Sequence, residues 1–276
     1  MKRIITHKYI DNFRQFLTLE EKSPATIEKY TKTLQQLAGI EVTVQSLIAW
    51  KKELAASGLS PKTINTKICA LNAFAAFMGW NDCRLKLLKI QRTMFREESR
   101  ELSRDEYRRL IETARKQGRC QLALIIETIG ATGMRVSELR YLTTQAVRAG
   151  RIEISLKGKI RVICIEKKLG RKLLEFTGKQ GIKEGTIFVD KQGRPLDRRR
   201  IWTQMKKLAA EAGVELKKVF PHNLRHLFAR TYYKVTRNLA ELASLLGHSS
   251  IETTRIYLLT TAESHQKKLS RLNMIC

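Results

Sequence analysis

The sequence has few cysteines and no long apolar run, and both shortages exclude classes of protein. Its 276 residues include five cysteines, widely scattered and without a CxxC pair, so neither a disulfide framework nor a cysteine zinc site is indicated. No apolar stretch approaches the roughly 20 residues of a membrane-spanning helix. The basic N-terminus reaches Asp11 and Asn12 before any apolar stretch of signal-peptide length. We therefore predict a cytoplasmic protein with no membrane partner.

Proline is also rare, and this shortage favours long helices. Only four prolines interrupt the chain and strand-like alternation is scarce, which predicts a mainly α fold. Ser23 and Ser60 each precede a proline and an apolar pattern with helical spacing, an arrangement typical of an N-cap and the first helical residue. Two further helices, near residues 9–17 and 44–57, complete a predicted four-helix unit that ends near Trp80.

A charged segment without periodicity divides the chain. It covers residues 89–101 and precedes a capping box formed by Ser103 and Glu106. We predict a first domain at 1–88, a linker at 89–101 and a second domain at 102–276. In the second domain, apolar spacing predicts helices at 103–116, 121–129, 136–142, 198–212, 222–235, 239–246, 251–259 and 263–272.

Two alternating stretches in the second domain predict a β-hairpin. In RIEISLKGKIRVICI, residues 151–165, apolar residues alternate on both sides of a lysine-rich turn. The segment TIFVD, residues 186–190, is predicted to add a third strand. We expect the inward faces of the hairpin to consist of Ile152, Ile154 and Leu156 on the first strand and Ile160, Val162 and Cys164 on the second.

Basic residues outnumber acidic residues by a wide margin. Lysine and arginine total 53 against 26 aspartates and glutamates, so the formal net charge is +27 and the pI is about 10.2. The excess is not confined to a tail, since residues 1–100 carry +8 and the rest of the chain +19. This distribution favours a protein that encloses nucleic acid. A ribosome-associated factor or a merely basic surface remains open on charge alone.

The segment FPHNLRHLFAR, residues 220–230, admits two hypotheses. His222 and His226 are four apart and share a helical face, which is the spacing of a zinc-binding pair. However, Asn223 stands where a zincin places its glutamate base. The alternative is a phosphate site, because a proline starts the helix, helix N-termini favour anions, and Arg225 can donate to two phosphate oxygens. We favour the phosphate and predict no metal.

Two further segments carry residues suited to phosphoryl chemistry. ATGMRVSELR places Arg135 at another helix start, where Glu138 can pair with it. LLGHSSIETTRIY places His248 between two helices and Tyr257 about two turns into the second one. Two arginines and a histidine suit a phosphoryl transition state that forms without a metal. Spacing alone does not distinguish Tyr257 from the other six tyrosines.

Four motifs occur in one order: ATGMRVSEL, the lysine hairpin, PHNLRHLFA and LLGHSSIETTRIY. In order and rough spacing they resemble the tyrosine recombinases, the phage-integrase and Xer-type family, over most of residues 100–260. The helical first domain resembles that family's core-binding domain. The resemblance implies a four-helix, SAM-like core-binding domain followed by an α-helical catalytic domain with a small antiparallel β-sheet. The hairpin departs from the family, since LKGKIR is shorter than the usual G-K-G-x-K-x-R.

The resemblance also implies roles for the matching residues. Tyr257 would attack the scissile phosphate and form a 3′-phosphotyrosyl link, so that DNA is cut and rejoined without ATP, metal or another cofactor. Arg135 and Arg225 would contact the nonbridging oxygens. His222 and His248 would assist proton transfer and hold the phosphate.

The general acid is less clearly marked. The resemblance implies that a hairpin lysine protonates the leaving 5′-oxygen. We assign this role to Lys157, directly before the glycine, with Lys159 as the alternative. His226 matches the second histidine of the family's HxxRH motif and is given a supporting role.

The resemblance implies a site-specific recombinase of the simple two-domain form, without a module for arm sites. It would act on double-stranded DNA as a homotetramer on two sites, in integration, excision, inversion or dimer resolution, for example of a mobile element. A type IB topoisomerase-like relaxation activity and a non-catalytic DNA-binding protein are the alternatives. The last predicted helix would dock on a neighbouring protomer or on its own domain through Leu269, Leu272 and Ile275.

Overall fold

The chain forms two compact units in a computed structural model. The units are Met1–Arg92 and Thr93–Cys276, and the predicted boundaries at 88 and 102 stay predictions. No helix in the described part is long and apolar enough to cross a membrane. The predicted helix at 263–272 lies outside the described residues except for two positions, and so does most of the predicted linker. The structure describes residues 2–90, 98–156, 159–248, 250–258, 266 and 270.

The first unit confirms the predicted four helices. Ser23 and Ser60 cap two of them, with their hydroxyls accepting from backbone N–H groups and proline following at the first helical position. Thr6 and Thr43 cap the other two through their hydroxyls, without a following proline. The helices are α1 (His7–Leu19), α2 (Pro24–Gln35), α3 (Val44–Ala56) and α4 (Pro61–Phe77).

The core of the first unit is made of the apolar faces of these helices. Phe13 and Phe74 are fully buried, and their rings meet edge to face with centroids 5.4 Å apart. Among the described residues of this unit, the buried polar side chains are Thr31 and Thr33. Their hydroxyls donate to carbonyl oxygens of their own helix, so neither threonine needs a tertiary partner.

The second unit is also mainly helical. Its predicted capping box is confirmed, since Ser103 Oγ accepts from the Glu106 N–H and the Glu106 carboxylate accepts from the Ser103 N–H. Short 3₁₀ helices cover Val136–Tyr141 and Ile256–Leu258. The α-helices are α5 (Arg104–Lys116), α6 (Cys120–Thr132), α7 (Thr144–Arg148), α8 (Lys167–Lys179), α9 (Arg198–Glu211), α10 (Pro221–Thr236), α11 (Leu239–Leu246) and α12 (Ile251–Arg255).

Helices α6 and α10 lie at the centre of the second unit. α6 is apolar nearly all round, and most of its residues are buried, as expected for a helix surrounded by protein. It packs along α10, which carries the HNLRH sequence. The predictions omit α7 and α8. The glycines Gly170 and Gly178 interrupt the apolar spacing of α8, whereas Glu166 caps its first turn.

The predicted hairpin is confirmed in its pairing. Strands β1 (Arg151–Leu156) and β2 (Lys159–Cys164) run antiparallel, with Ile152 opposite Ile163 and Ile154 opposite Arg161. Cross-strand partners lie on the same face of a sheet. The inward face of β1 is as predicted for Ile152 and Ile154, which are buried.

The predicted inward face of β2 is wrong. Ile160 and Val162 are exposed, and so is Cys164, while Arg161 and Ile163 turn into the unit. Side chains alternate with a period of two, so an error of one residue in phase reverses every side chain. Apolar residues occur on both faces of β2, so the sequence does not show which face is buried. The observed phase is also hard to predict because it places an arginine on the inner face.

The predicted third strand is also wrong. Residues 186–190 make only isolated bridges, from Thr186 to Thr143 and from Val189 to Pro195. The consecutive residues Ile187 and Phe188 are both buried, which is incompatible with the alternation of a half-buried strand. The sheet in the described residues therefore has two strands.

Candidate active site

Arg225 holds a positive charge inside the second unit. It lies in the second turn of α10 and is 1% exposed. Its Nη1 donates to the Gly133 carbonyl oxygen and its Nη2 to the Leu246 carbonyl oxygen, both at 2.6 Å. Both carbonyls belong to helix C-termini, which carry partial negative charge. Burial, and next the charge of Arg135, lower the pKa of Arg225 to about 10, while the neighbouring Tyr257 opposes the shift.

Arg135 is anchored by Glu138, as the sequence predicts. The Glu138 carboxylate accepts from the backbone N–H of Arg135 at 2.7 Å and from its Nη1 at 2.9 Å. Burial would raise the pKa of Glu138, but the backbone hydrogen bond and the charge of Arg161 hold it below its ordinary value. The Arg135 side chain is 42% exposed. It is therefore fixed at one end and accessible at the other.

Two glycines permit the close packing of these segments. Gly133 ends α6 with φ +64°, and a Cβ there would lie 2.3 Å from Phe228. Gly247 ends α11 with φ +63°, and a Cβ there would lie 2.4 Å from the Arg161 side chain. Both positions need left-handed backbone and free space, which glycine alone supplies without strain.

His248 lies in the connection after Gly247, as predicted. Its Nε2 is 3.1 Å from Nη2 of Arg225. A guanidinium can only donate, so Nε2 accepts and the ring proton of the neutral imidazole is on Nδ1. That Nδ1–H donates to the Thr254 hydroxyl at 2.8 Å. Burial, and next the charges of the neighbouring arginines and His222, lower the pKa of His248 to about 4.

Tyr257 is packed among these groups. It lies in the 3₁₀ helix that follows α12 and is 2% exposed. Its ring is nearly parallel to that of His248, with centroids 5.7 Å apart. His226 meets the same ring edge-on, with centroids 4.4 Å apart. Tyr257 therefore packs between two histidines, and one of them, His248, in turn contacts the buried guanidinium of Arg225.

His222 lies at the entrance to this cluster. It is an exposed residue in the first turn of α10, and its ring centroid is 6.5 Å from that of Tyr257. It lines a cavity of about 490 Å³ together with Arg135 and Arg225. Arg198, Arg199 and Trp202 of α9 line the same cavity. The cavity is thus basic, and three of the predicted site residues line it.

Five of the six predicted site residues meet in this cluster: Arg135, His222, Arg225, His248 and Tyr257. The sixth, Lys157, lies outside the described residues, and Lys159 begins β2. No group of three or more histidines, cysteines or acidic residues in the described part of the chain could hold a metal ion. The zinc hypothesis for His222 and His226 therefore has no ligand set there.

Arg161 belongs to the cluster and is absent from the predictions. Its side chain is 10% exposed, and its Nη1 lies 2.8 Å from both carboxylate oxygens of Glu138. Its Nε donates to the Leu245 carbonyl oxygen at 3.0 Å. One feature of the sequence could have indicated this role: Arg161 lies two residues before the buried Ile163, so both side chains lie on the same face of β2. Such a residue needs a buried partner of opposite charge.

Comparison with known proteins identifies the family. Residues 100–264 match the model of the "Phage integrase family". Tyrosine recombinase XerA of Thermococcus kodakarensis is 31% identical over 283 residues, which cover 98% of this chain and 96% of XerA.

Solved structures agree on the fold. XerH site-specific recombinase, in a post-cleavage complex with its difH substrate, has a TM-score of 0.69 at 21% identity, covering 88% of this chain and 79% of XerH. A lambda integrase dimer bound to a core site has a TM-score of 0.70 at 18% identity, covering 91% and 76%. The chain therefore belongs to the phage integrase family and is a tyrosine recombinase.

Proposed function

We propose that this protein is a site-specific DNA recombinase that uses Tyr257 as its nucleophile. The observation that carries the proposal is the packing of Tyr257 against His248, whose Nε2 lies 3.1 Å from the Arg225 guanidinium. Two helix-end carbonyls fix that guanidinium. A tyrosine beside a fixed, buried cation is suited to attack on a phosphodiester, because the same cation can bind the phosphate. Relatives named tyrosine recombinase support the same reaction class.

The proposed reaction is two successive transesterifications. In the first, the bond between the Tyr257 oxygen and phosphorus forms while the bond from phosphorus to the 5′-oxygen breaks. The tyrosine loses its proton and the leaving 5′-oxygen gains one. In the second, the 5′-hydroxyl of another strand attacks the 3′-phosphotyrosyl link and releases Tyr257. One phosphodiester is exchanged for another, so the reaction needs no ATP.

Charge stabilisation of the transition state is assigned to the two arginines. The pentavalent phosphorus centre carries more negative charge on its nonbridging oxygens than the ground state. Arg135 faces the cavity from its anchor on Glu138. Arg225 Nε is buried without a hydrogen-bond partner among the described residues, which leaves a donor for a phosphate oxygen. Fixed donors of this kind typically lower a barrier by about 3–4 kcal/mol each.

Proton transfer is assigned to histidine and lysine. In the DNA-free protein His248 is neutral at pH 7, because its pKa is about 4. It is therefore in the form that accepts a hydrogen bond or a proton. His222, exposed at the cavity, would hold the phosphate, and His226 would support the Tyr257 ring. Lys157 remains the proposed general acid, with Lys159 as the alternative.

The proposed substrate is double-stranded DNA. The net charge of +27 supports it, since lysine and arginine bind phosphates with release of counterions. XerH has been solved bound to its difH substrate, and a lambda integrase dimer bound to a core site. We propose that this chain likewise acts on paired DNA sites, as a homotetramer in the cytoplasm.

Covalent trapping tests the nucleophile. Purified protein would be mixed with nicked duplexes from DNA flanking its own gene, and the products separated on a denaturing gel. We expect a slowly migrating DNA–protein band with wild type and none with Tyr257→Phe. Tyr232→Phe is the matched control, because the Tyr232 hydroxyl bonds to Glu241 instead of an arginine.

The outcomes separate the candidate functions. A covalent band with Tyr257→Phe would overturn the assignment. Salt-sensitive binding to one fragment without any band would favour a non-catalytic DNA-binding protein. Relaxation of plasmids that lack a specific site would favour topoisomerase-like activity.

A further inference from the structure

Arg161 connects three segments of the candidate active site. It enters from β2 and contacts the carboxylate of Glu138, which also anchors Arg135. It donates to the Leu245 carbonyl oxygen, next to the Leu246 carbonyl that holds Arg225. Its aliphatic part fills the space that a side chain at residue 247 would need. Residue 247 is followed directly by His248, so Arg161 packs at the base of the segment that carries this histidine.

The charges of Arg135, Glu138 and Arg161 do not cancel. Glu138 is 4% exposed and carries one negative charge between two guanidiniums. Together Arg135, Glu138 and Arg161 carry a net charge of +1. Without Arg161, the carboxylate would neutralise Arg135 alone, and these side chains would contribute no net positive charge to the cavity beside them. Interactions between such groups are strong because the site is largely buried.

We propose that Arg161 is a positioning residue of the strand-transfer site. It neutralises Glu138 so that Arg135 keeps a full positive charge for the scissile phosphate, and it fixes the corner that carries His248. The proposal rests on the proposed function, since it assigns Arg161 a part in that reaction. Arg161 Nη2 is buried without a partner in the described residues, which adds unsatisfied positive potential at the same place.

A purely structural role of Arg161 and the proposed positioning role predict different results when the charges are removed. If Arg161 only filled space and satisfied Glu138, removal of both charges would be at least as harmful as removal of one. If Arg161 acts through the charge of Arg135, removal of both charges restores the net +1. A double-mutant cycle between the two positions measures this difference.

The variants are Arg161→Met, Glu138→Gln and the double variant. Methionine keeps much of the arginine stem, and glutamine keeps an oxygen to accept from the Arg135 N–H. We expect Arg161→Met to slow formation of the covalent band by about tenfold to a hundredfold, less than the roughly hundredfold to thousandfold loss caused by removal of a donor that contacts the transition state directly. The double variant should react at least about tenfold faster than Arg161→Met, because the net charge is restored.

Arg151→Met is the matched control. Arg151 lies on the same hairpin but is exposed and pairs only with Glu153 in the described residues. It should react like wild type. Arg161→Lys keeps the charge but not the forked contact to both Glu138 and Leu245, and we expect an intermediate rate.

A measurement without DNA separates this inference from the proposed function. The positive charge of Arg161 is one of the causes that lower the pKa of His248, with Arg225, Arg135 and His222 as the other charged neighbours. The imidazole of His248, assigned by its loss in His248→Gln, would be titrated by NMR. Its pKa should rise in Arg161→Met and stay at the wild-type value in Arg151→Met.

Each outcome bears on one claim. If wild type forms a Tyr257-dependent band and the double variant is no faster than Arg161→Met, the positioning role is overturned while the proposed function stands. An unchanged pKa of His248 in folded Arg161→Met would also overturn it. If wild type forms no band on any fragment but the pKa shift is found, the failure lies with the proposed function.

Discussion

The two compact units bury different kinds of side chain. In the described part of the first unit the interior is apolar except for two threonines that bond within their own helix. The interior of the second unit contains Glu138, Asn223 and Arg225, and Arg161 is nearly as buried. The buried threonines of the first unit find their hydrogen-bond partners within their own helix. The interior of the second unit holds more positive charges than negative ones.

This difference indicates where function limits stability. Desolvation of an ion costs several kcal/mol, and well-packed apolar residues often replace a buried ion pair without loss of stability. A chain optimised for folding alone would not need three arginines and a carboxylate beside one cavity. The interior of the first unit therefore serves folding alone. The interior of the second unit tolerates unfavourable buried charge, which keeps a site preorganised for an anion.

The largest expected effect on stability lies in the apolar unit. Phe74→Ala should lower the free energy of unfolding of the first unit by about 3–5 kcal/mol, because it leaves a cavity in a tightly packed core. Phe16→Ala is the control, since Phe16 is 37% exposed in the same aromatic cluster and should cost far less. Urea unfolding followed by Trp50 and Trp80 fluorescence in a Trp202→Phe background would report on this unit. Equal losses for the two variants would contradict the prediction.

A smaller effect is expected from pH in the charged unit. The folded pKa of His248 is about 4 and its ordinary value is 6.5, so between these values the unfolded chain binds a proton that the folded protein does not. Stability therefore falls as pH drops from about 6.5 to 4. The loss should be on the order of 1–2 kcal/mol, since solvent screens this half-buried ring.

The measurement for the charged unit uses the remaining tryptophan. Unfolding of the second unit would be followed by Trp202 in a background where Trp50 and Trp80 are phenylalanine. His248→Gln should flatten the pH dependence over this window, whereas His7→Gln, at an exposed position in the first unit, should leave it unchanged. A window that persists in His248→Gln would assign the dependence to another group.

The smallest expected effect is a gain of stability in the second unit. Arg237 ends α10 in the left-handed region at φ +55°, where a side chain is unfavourable. Arg237→Gly should stabilise the unit by about 0.5–1 kcal/mol. Arg237→Ala loses the same contact with the Tyr233 ring but keeps a Cβ, so it should bring no gain. A gain with alanine would show that the side chain, and not the backbone, is unfavourable there.

Local patterns predicted most of the helical framework. Ser23, Ser60 and Ser103 mark helix starts that the structure confirms, because capping depends on neighbouring residues alone. The pairing of Arg135 with Glu138 was likewise readable, since the two are three residues apart. The inner face of β2 and the absence of a third strand were not, because both depend on what packs against the segment.

The sequence by itself determined the helical class, the caps, the excess of basic charge and the order of motifs that places the chain in its family. Only the tertiary structure decided that Arg161 faces inward, that two helix ends bind Arg225, and that Tyr257 packs between His226 and His248. The physical reason is separation along the chain: Arg225 and Gly133 are 92 residues apart. No local propensity specifies such a contact, and it forms only when the core of the second unit brings the two helices together.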